Sequence, residues 1–352
     1  MTPLVIQRLH NQKLSDAGCR RAADVVRRLG AVQAQEFRPA KWALGLRAAG
    51  VTEADVDAAF DRGLILRTHV MRPTWHFVPA ADIRWMLELT GPAVSRRMAP
   101  YNRKLELDAA LFARSHDAVA RALEGGRFLT RTELAEVLAR AGIHARSQRL
   151  GHLMLQAELD RVICSGPRRG RHQTYALFDE RAPRAVSLPR DETLAELAWR
   201  YFRSHGPATL RDFSWWSGLP MADVRAAVAL TGTRLRETVI EGRRCWHAAR
   251  SDSRSGTGTH LLPIYDEYLI AYRERDDVIH PTARAHATPD LYGNWVIVDG
   301  RLAGTWRQVE DGSRVRIRIS TPVSMTKAAR RALAASAQRL AEFSGTPVSL
   351  AV

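Results

Sequence analysis

LILRTHVMRPTWHFV, residues 64–78, is the stretch that decides the fold. Two runs rich in β-forming residues, Leu64–Val70 and Thr74–Val78, flank a tight Met71-Arg72-Pro73 connection, which is a hairpin pattern. Upstream, apolar residues recur at helical spacing over Ser15–Leu29, with Gly30 as the stop. A second helix begins near Pro39 and carries Trp42, Leu44 and Leu46. A third runs from Thr52 as N-cap through Val56 and Phe60 to Gly63. Three helices followed by a two-stranded wing is winged-helix order, a variant of helix-turn-helix.

The same order recurs twice. A helix over Asp108–Leu123 precedes Thr130 and Glu133, which have capping-box spacing, and a helix from Ser147 to Leu159 follows. Val162–Ser165 and Thr174–Phe178 form the next hairpin, with the basic tip GPRRGR at 166–171. The third copy has Thr209 and Asp212, a helix at Met221–Leu230, and a hairpin from Arg234 to Trp246 that turns at Glu241-Gly242. Ala182–Pro189 reads as a linker, and SDSRSGTGT at Ser251–Thr259 as a stronger break. Beyond it, Leu261–Ile270, Trp295–Val298, Leu302–Trp306 and Val315–Ile319 read as short strands, with turns at Asp299-Gly300 and Asp311-Gly312, closed by a helix over Thr326–Phe343. The expected fold is α+β: three tandem winged-helix units, at 1–90, 91–181 and 190–250, on a C-terminal β-barrel-like domain at 260–352.

Composition says what such a scaffold meets. The 352 residues are 45% hydrophobic and 26% charged, enough for more than one core and unlike a disordered or fibrous chain. Lys and Arg total 53 against 37 Asp and Glu, a net +16, and four of the 53 are Lys, which leaves 49 Arg. Genomic base composition explains part of the preference for Arg over Lys, but not the excess of plus over minus. That excess favours a polyanionic partner. Cys19, Cys164 and Cys245 are scattered and lack C-x-x-C spacing, so no disulfide framework or thiolate metal site is expected. With no apolar leader and no 18-residue apolar run, no membrane segment is expected and a cytoplasmic location is.

One short motif stands apart from the repeats. Gln33-Ala34-Gln35 lies between the Gly30 stop and the Pro39 start, where the chain should be extended. In an extended segment residues i and i+2 share a face, so two carboxamides should face outward over a buried Ala34. Glu36 would leave from the other side, for a salt bridge or the start of the next helix.

At this motif the sequence resembles the AlkZ-like and YcaQ-like winged-helix DNA glycosylase superfamily, of the azinomycin-resistance type. The likeness runs through LHNQKL at 9–14, GAVQAQE at 30–36, LRTHVMRPTWHFV at 66–78, HLLPIYDEYLIAYRER at 260–275 and VDGRLAGTWR at 298–307. It implies three winged helices on a C-terminal barrel and a catalytic Gln-apolar-Gln motif, which falls on Gln33 and Gln35. The second Gln places the sequence with the AlkZ-like rather than the YcaQ-like branch, which has an acid there. The implied activity is a monofunctional DNA glycosylase that hydrolyses the N-glycosidic bond of alkylated purines, 7-alkylguanine or bulky and crosslinked adducts, in double-stranded DNA. It implies repair or self-resistance in a bacterial cytoplasm at the nucleoid, by a monomer without cofactor. A Gln does not titrate, but an alkylated purine is already cationic and departs neutral, so placing a water suffices.

In the hairpin, Arg67, His69 and Arg72 are expected to grip phosphates, and Trp75 and His76 to stack on or support a distorted nucleotide. Thr68, Arg38 and Lys41, with the basic tip Arg168, Arg169 and Arg171, complete the expected DNA contacts. His69 and His76 lack a third ligand for a metal. Tyr265-Asp266-Glu267-Tyr268 reads as packing with Arg273 or Arg275 as ion partners, and Trp215-Trp216 as core. The rival reading is a non-catalytic winged-helix transcriptional regulator.

Overall fold

Hydroxyl and acid pairs three residues apart start one helix in each copy of the repeat. The Thr52, Thr130 and Thr209 side chains accept from the backbone N–H three residues on, while Asp55, Glu133 and Asp212 accept from the cap N–H at 2.9, 2.7 and 2.9 Å. Each such cap stabilises its helix by about 1 kcal/mol. The helices so begun are Glu53–Asp61, Arg131–Arg140 and Leu210–Ser217.

The computed structural model describes residues 2–248, 258–286, 293–311 and 314–351. It is a mixed α+β architecture with three hairpin sheets and one five-stranded sheet. The hairpins are Ile65–His69 with Trp75–Pro79, Ile163–Ser165 with Thr174–Leu177, and Leu235–Ile240 with Arg243–Ala248. In the first, Val32–Gln33 adds as an edge strand to Trp75–Pro79; in the second, Leu129–Thr130 adds to Thr174–Leu177. The third has only the single bridge Ala208 to Trp246 at that place.

Several sequence expectations are corrected. Ser15–Leu29 is not one helix: Pro3–Asn11 and Ala22–Leu29 are helical, and Lys13 and Ala17, at φ of 62° and 44°, turn the chain between them. The 22-residue helix Ile83–Lys104, unforeseen, runs through the boundary expected at 90/91 and carries Pro92 and Pro100 inside it. Of Leu261–Ile270, only Leu261 and Leu262 are strand, as the end of His260–Leu262. Pro263 interrupts it, and Asp266 caps a short helix, Glu267–Ile270, by accepting from Tyr268 N–H at 2.9 Å. The C-terminal sheet is an open half-barrel rather than a closed barrel, running from His260–Leu262 through Asn294–Val298, Arg301–Asp311 and Arg314–Ser320 to Val348–Ala351, which pairs parallel. Helix Lys327–Ser344 packs on it, and its Ser336 Oγ accepts from Leu261 N–H at 3.1 Å. Residues 251–257 of the expected break, and Gly312 of the expected turn, lie outside the described residues.

Burial groups the elements differently from the repeat. One core joins the N-terminal helices and first hairpin to the half-barrel, where Trp42 Nε1 donates to Leu261 O at 2.9 Å. A second gathers Ile83–Lys104 with helices Arg190–His205, Leu210–Ser217 and Met221–Leu230. The third lies within residues 107–177. Among the described residues no helix is long and apolar enough to cross a membrane.

Candidate active site

Gly30, at φ 86°, ends helix Ala22–Leu29, and the chain emerges extended as Val32–Gln33. Register sets Val32 against Phe77 and Gln33 against His76, and Ala34 N–H donates to Trp75 O at 2.7 Å. Ala34 is fully buried, as alternation requires. Its neighbours are less open than expected: Gln33 is only 8% exposed and Gln35 is half-buried. Glu36 is exposed and stands at the start of helix Phe37–Gly45 without a side-chain cap bond.

Both carboxamides are oriented by groups that can only donate. Arg72 Nη2 donates to Gln33 Oε1 at 2.8 Å, and Trp75 N–H to Gln35 Oε1 at 3.3 Å. Each oxygen keeps a second lone pair. The main chain is held as well: Arg67 Nε and Nη2 donate to Ala34 O and Gln35 O at 2.9 and 3.1 Å while its guanidinium lies 4.2 Å over the Trp75 ring. Arg67 thus clamps the motif's backbone; burial lowers its pKa.

Two buried carboxylates stand behind the motif. Glu267 Oε1 accepts from Gln33 N–H at 2.8 Å, and Oε2 from Trp216 Nε1 at 3.0 Å, with His205 Nε2 at 3.5 Å. Glu158, on helix Ser147–Leu159, accepts from His69 N–H and Nδ1, both at 2.8 Å, from Thr68 Oγ1 at 3.2 Å, and from Trp75 Nε1 at 3.5 Å. Burial works to raise both carboxyl pKa values, but these donors outweigh it and hold both below the ordinary range. Sequence reasoning missed Glu158 altogether. The available signal was a carboxylate between Ala157 and Leu159 on an apolar helix face. Arg273 and Arg275 are not the partners of the acidic pair expected from sequence: Arg47, 219 residues away, makes a two-pronged bond to Asp266 at 2.7 and 2.8 Å.

His76 is fully buried opposite Gln33. Its Nδ1 lies 2.9 Å from Thr74 O and its Nε2 has no hydrogen-bond partner. Burial, then the charge of Arg72, push its pKa down to about 3, so the imidazole is neutral. Register puts His69 opposite Trp75 and His76 opposite Thr68, so the two imidazoles leave from opposite faces and do not form a pair. Among the described residues no group of three His, Cys, Asp or Glu could hold a metal ion.

The remaining expected DNA contacts scatter. Thr68 is buried on Glu158. Lys41 is 5% exposed, with Nζ 2.6 Å from Glu53 and 2.8 Å from Asp57. Arg168 is tied to Asp57 and Asp61, both at 2.7 Å, which docks the basic tip on the first unit. Arg38, Arg169 and Arg171 are exposed; Arg169 pairs with Glu133 at 2.7 Å and Arg38 lies 3.8 Å from Glu53. Trp216 is core, whereas Trp215 is 43% exposed and lies under Arg72.

The model of the family described as DNA glycosylase AlkZ-like matches residues 26–343. The chain is 27% identical over 308 residues to the interstrand DNA cross-link repair glycosylase of Streptomyces sahachiroi, covering 82% of each chain. The solved structure of the Streptomyces sahachiroi DNA glycosylase AlkZ superimposes with a TM-score of 0.82 at 24% identity, over 99% of this chain and 98% of that one. With the family model spanning nearly the whole chain, the protein belongs to the AlkZ-like DNA glycosylase family.

Proposed function

We propose that the chain hydrolyses the N-glycosidic bond of alkylated purines in duplex DNA, 7-alkylguanine foremost, with Gln33 and Gln35 as its catalytic residues. The observation that carries this is the pair of carboxamides whose oxygens are pre-aimed by Arg72 and Trp75, each with a lone pair left for water. Water attacks the anomeric carbon as the base leaves with the bond's electron pair. The cationic purine becomes neutral, and the water's proton passes to solvent. No acid is needed at the leaving group. This suits a site whose two buried carboxylates, Glu158 and Glu267, are occupied by their donors, and whose His76 is neutral. The catalysis is monofunctional: Lys41, the lysine nearest in sequence to the motif, is locked between two carboxylates and offers no amine for a covalent step.

The three helix-and-hairpin repeats act as tandem winged-helix units that hold the duplex, so one chain spans the site as a monomer. The relative's name supports crosslinked adducts as substrates and a role in repair. Arg169, Arg171 and Arg38 are the expected side chains that remain exposed for phosphates. Purified protein should release free base from a duplex carrying 7-methylguanine and leave alkali-labile sites. Replacing both Gln33 and Gln35 by Ala should slow release by about 10²–10³-fold or more, and undiminished release would refute the assignment.

A further inference from the structure

A cavity of about 810 Å³ opens at the far end of the first hairpin, by Leu64 and Pro79. A five-residue strand, about 17 Å, separates it from the turn that carries Arg72. Seven of its 22 lining residues are Arg, one in three, against 49 of 352 in the whole chain, one in seven. Its two acids are already engaged. Asp82 holds Arg200, and Glu180 accepts from Gly125 and Gly126 N–H at 2.9 and 2.6 Å.

The positive charge is not so matched. Among the described residues Arg62, Arg127, Arg181 and Arg184 form no ion pair, and the first three spend only part of their donors on backbone carbonyls. Arg181 Nε is buried without a hydrogen-bond partner. Gly63 leaves it room, since a Cβ there would lie 3.1 Å from the Arg181 Cζ. Between the arginines lie Leu64, 47% exposed, and the half-buried Phe128 ring, 6.0 Å from that same Cζ. An apolar, partly aromatic floor beside unpaired guanidinium forks fits a flat ring carrying phosphate.

We infer that this cavity is a second, non-catalytic site that binds a nucleotide unit, with the base on Leu64 and Phe128 and the phosphate between Arg62, Arg181 and Arg184. The unit comes either from a free nucleotide or from a DNA strand running on from the Gln33–Gln35 site. The test uses the full chain and a fluorescent deoxyguanosine diphosphate, read by anisotropy independently of base excision. Saturable binding is expected. Inorganic pyrophosphate should compete and deoxyguanosine should compete far less. Arg62→Ser with Arg184→Ser, both on the exposed rim, should weaken binding about tenfold or more while excision of 7-methylguanine from a short duplex persists. The same variant separates the sources. If the strand is the ligand, its log–log salt slope for a long undamaged duplex falls by about 1.8; if free nucleotide is, the slope is unchanged. Absence of saturable binding, or binding indifferent to the double substitution, overturns the inference.

Discussion

Glu267 and Glu158 are both buried carboxylates behind the Gln33-Ala34-Gln35 motif, yet they are built differently. Glu267 gathers contacts from three elements far apart in sequence: it accepts from Gln33 N–H on the edge strand and Trp216 Nε1 on helix Leu210–Ser217, and lies 3.5 Å from His205 Nε2 at the end of helix Arg190–His205. Every donor to Glu158 comes from one hairpin, through Thr68, His69 and Trp75. The first is a junction of the whole fold and fixes Gln33 through its backbone. The second fastens one hairpin to one helix, and reaches Gln35 through the half-exposed Trp75. Gln33 is therefore set by the global fold, and Gln35 by a local device that solvent can reach.

The largest consequence falls on Glu267. Glu267→Ala leaves the buried Gln33 N–H and Trp216 Nε1 unpaired and removes the charge beside His205, and should lower unfolding free energy by about 3–5 kcal/mol in urea titration; a loss under 1 kcal/mol would erase the contrast. Glu158→Ala should lose about 2–3 kcal/mol, since water can replace part of the bonding at Trp75, and should alter tryptophan emission under native conditions. The pH response comes next. The His76 pKa is about 3 when folded against an ordinary 6.5, so below pH 6.5 the unfolded chain binds a proton that the folded chain refuses. Its contribution to stability is intact above 6.5 and is lost progressively between 6.5 and 3, by about 2 kcal/mol at pH 5. His76→Gln should narrow the gap between urea midpoints at pH 7.5 and pH 5; an unchanged gap would show that His76 does not carry the acid sensitivity in that range. Smallest is Arg72→Ala, which frees Gln33 Oε1 and should cut excision kcat about tenfold, roughly 1.4 kcal/mol, with little change in KM.

What the sequence disclosed was local. Thr52 with Asp55, Thr130 with Glu133 and Thr209 with Asp212 sit three residues apart, and their bonding follows from that spacing alone. The short strand at Val32–Gln33 follows from a Gly stop, and alternation gave the buried Ala34, but the chain bends at Gln35 before the helix begins. The two carboxylate hubs were not legible in this way, because Glu158 and Glu267 meet partners 89 and 234 residues away. Net charge also misled at Lys41 and Arg168. The acidic face of helix Glu53–Asp61 takes up both, and no count of plus and minus shows which charges have found each other. The two prolines inside Ile83–Lys104 hid the longest helix.

Val32–Gln33 is also the border of its sheet, bonded on one side only, with the Gln33 N–H directed outward. An uncovered border of this kind would invite a strand from another molecule, the first step of aggregation, but Val32 and Gln33 are buried. Here the outward N–H is stoppered by a buried carboxylate, so an incoming backbone finds no donor at that position and meets a negative charge. The residue that steadies Gln33 also guards its strand against self-association, and a chain lacking Glu267 should clump as well as soften.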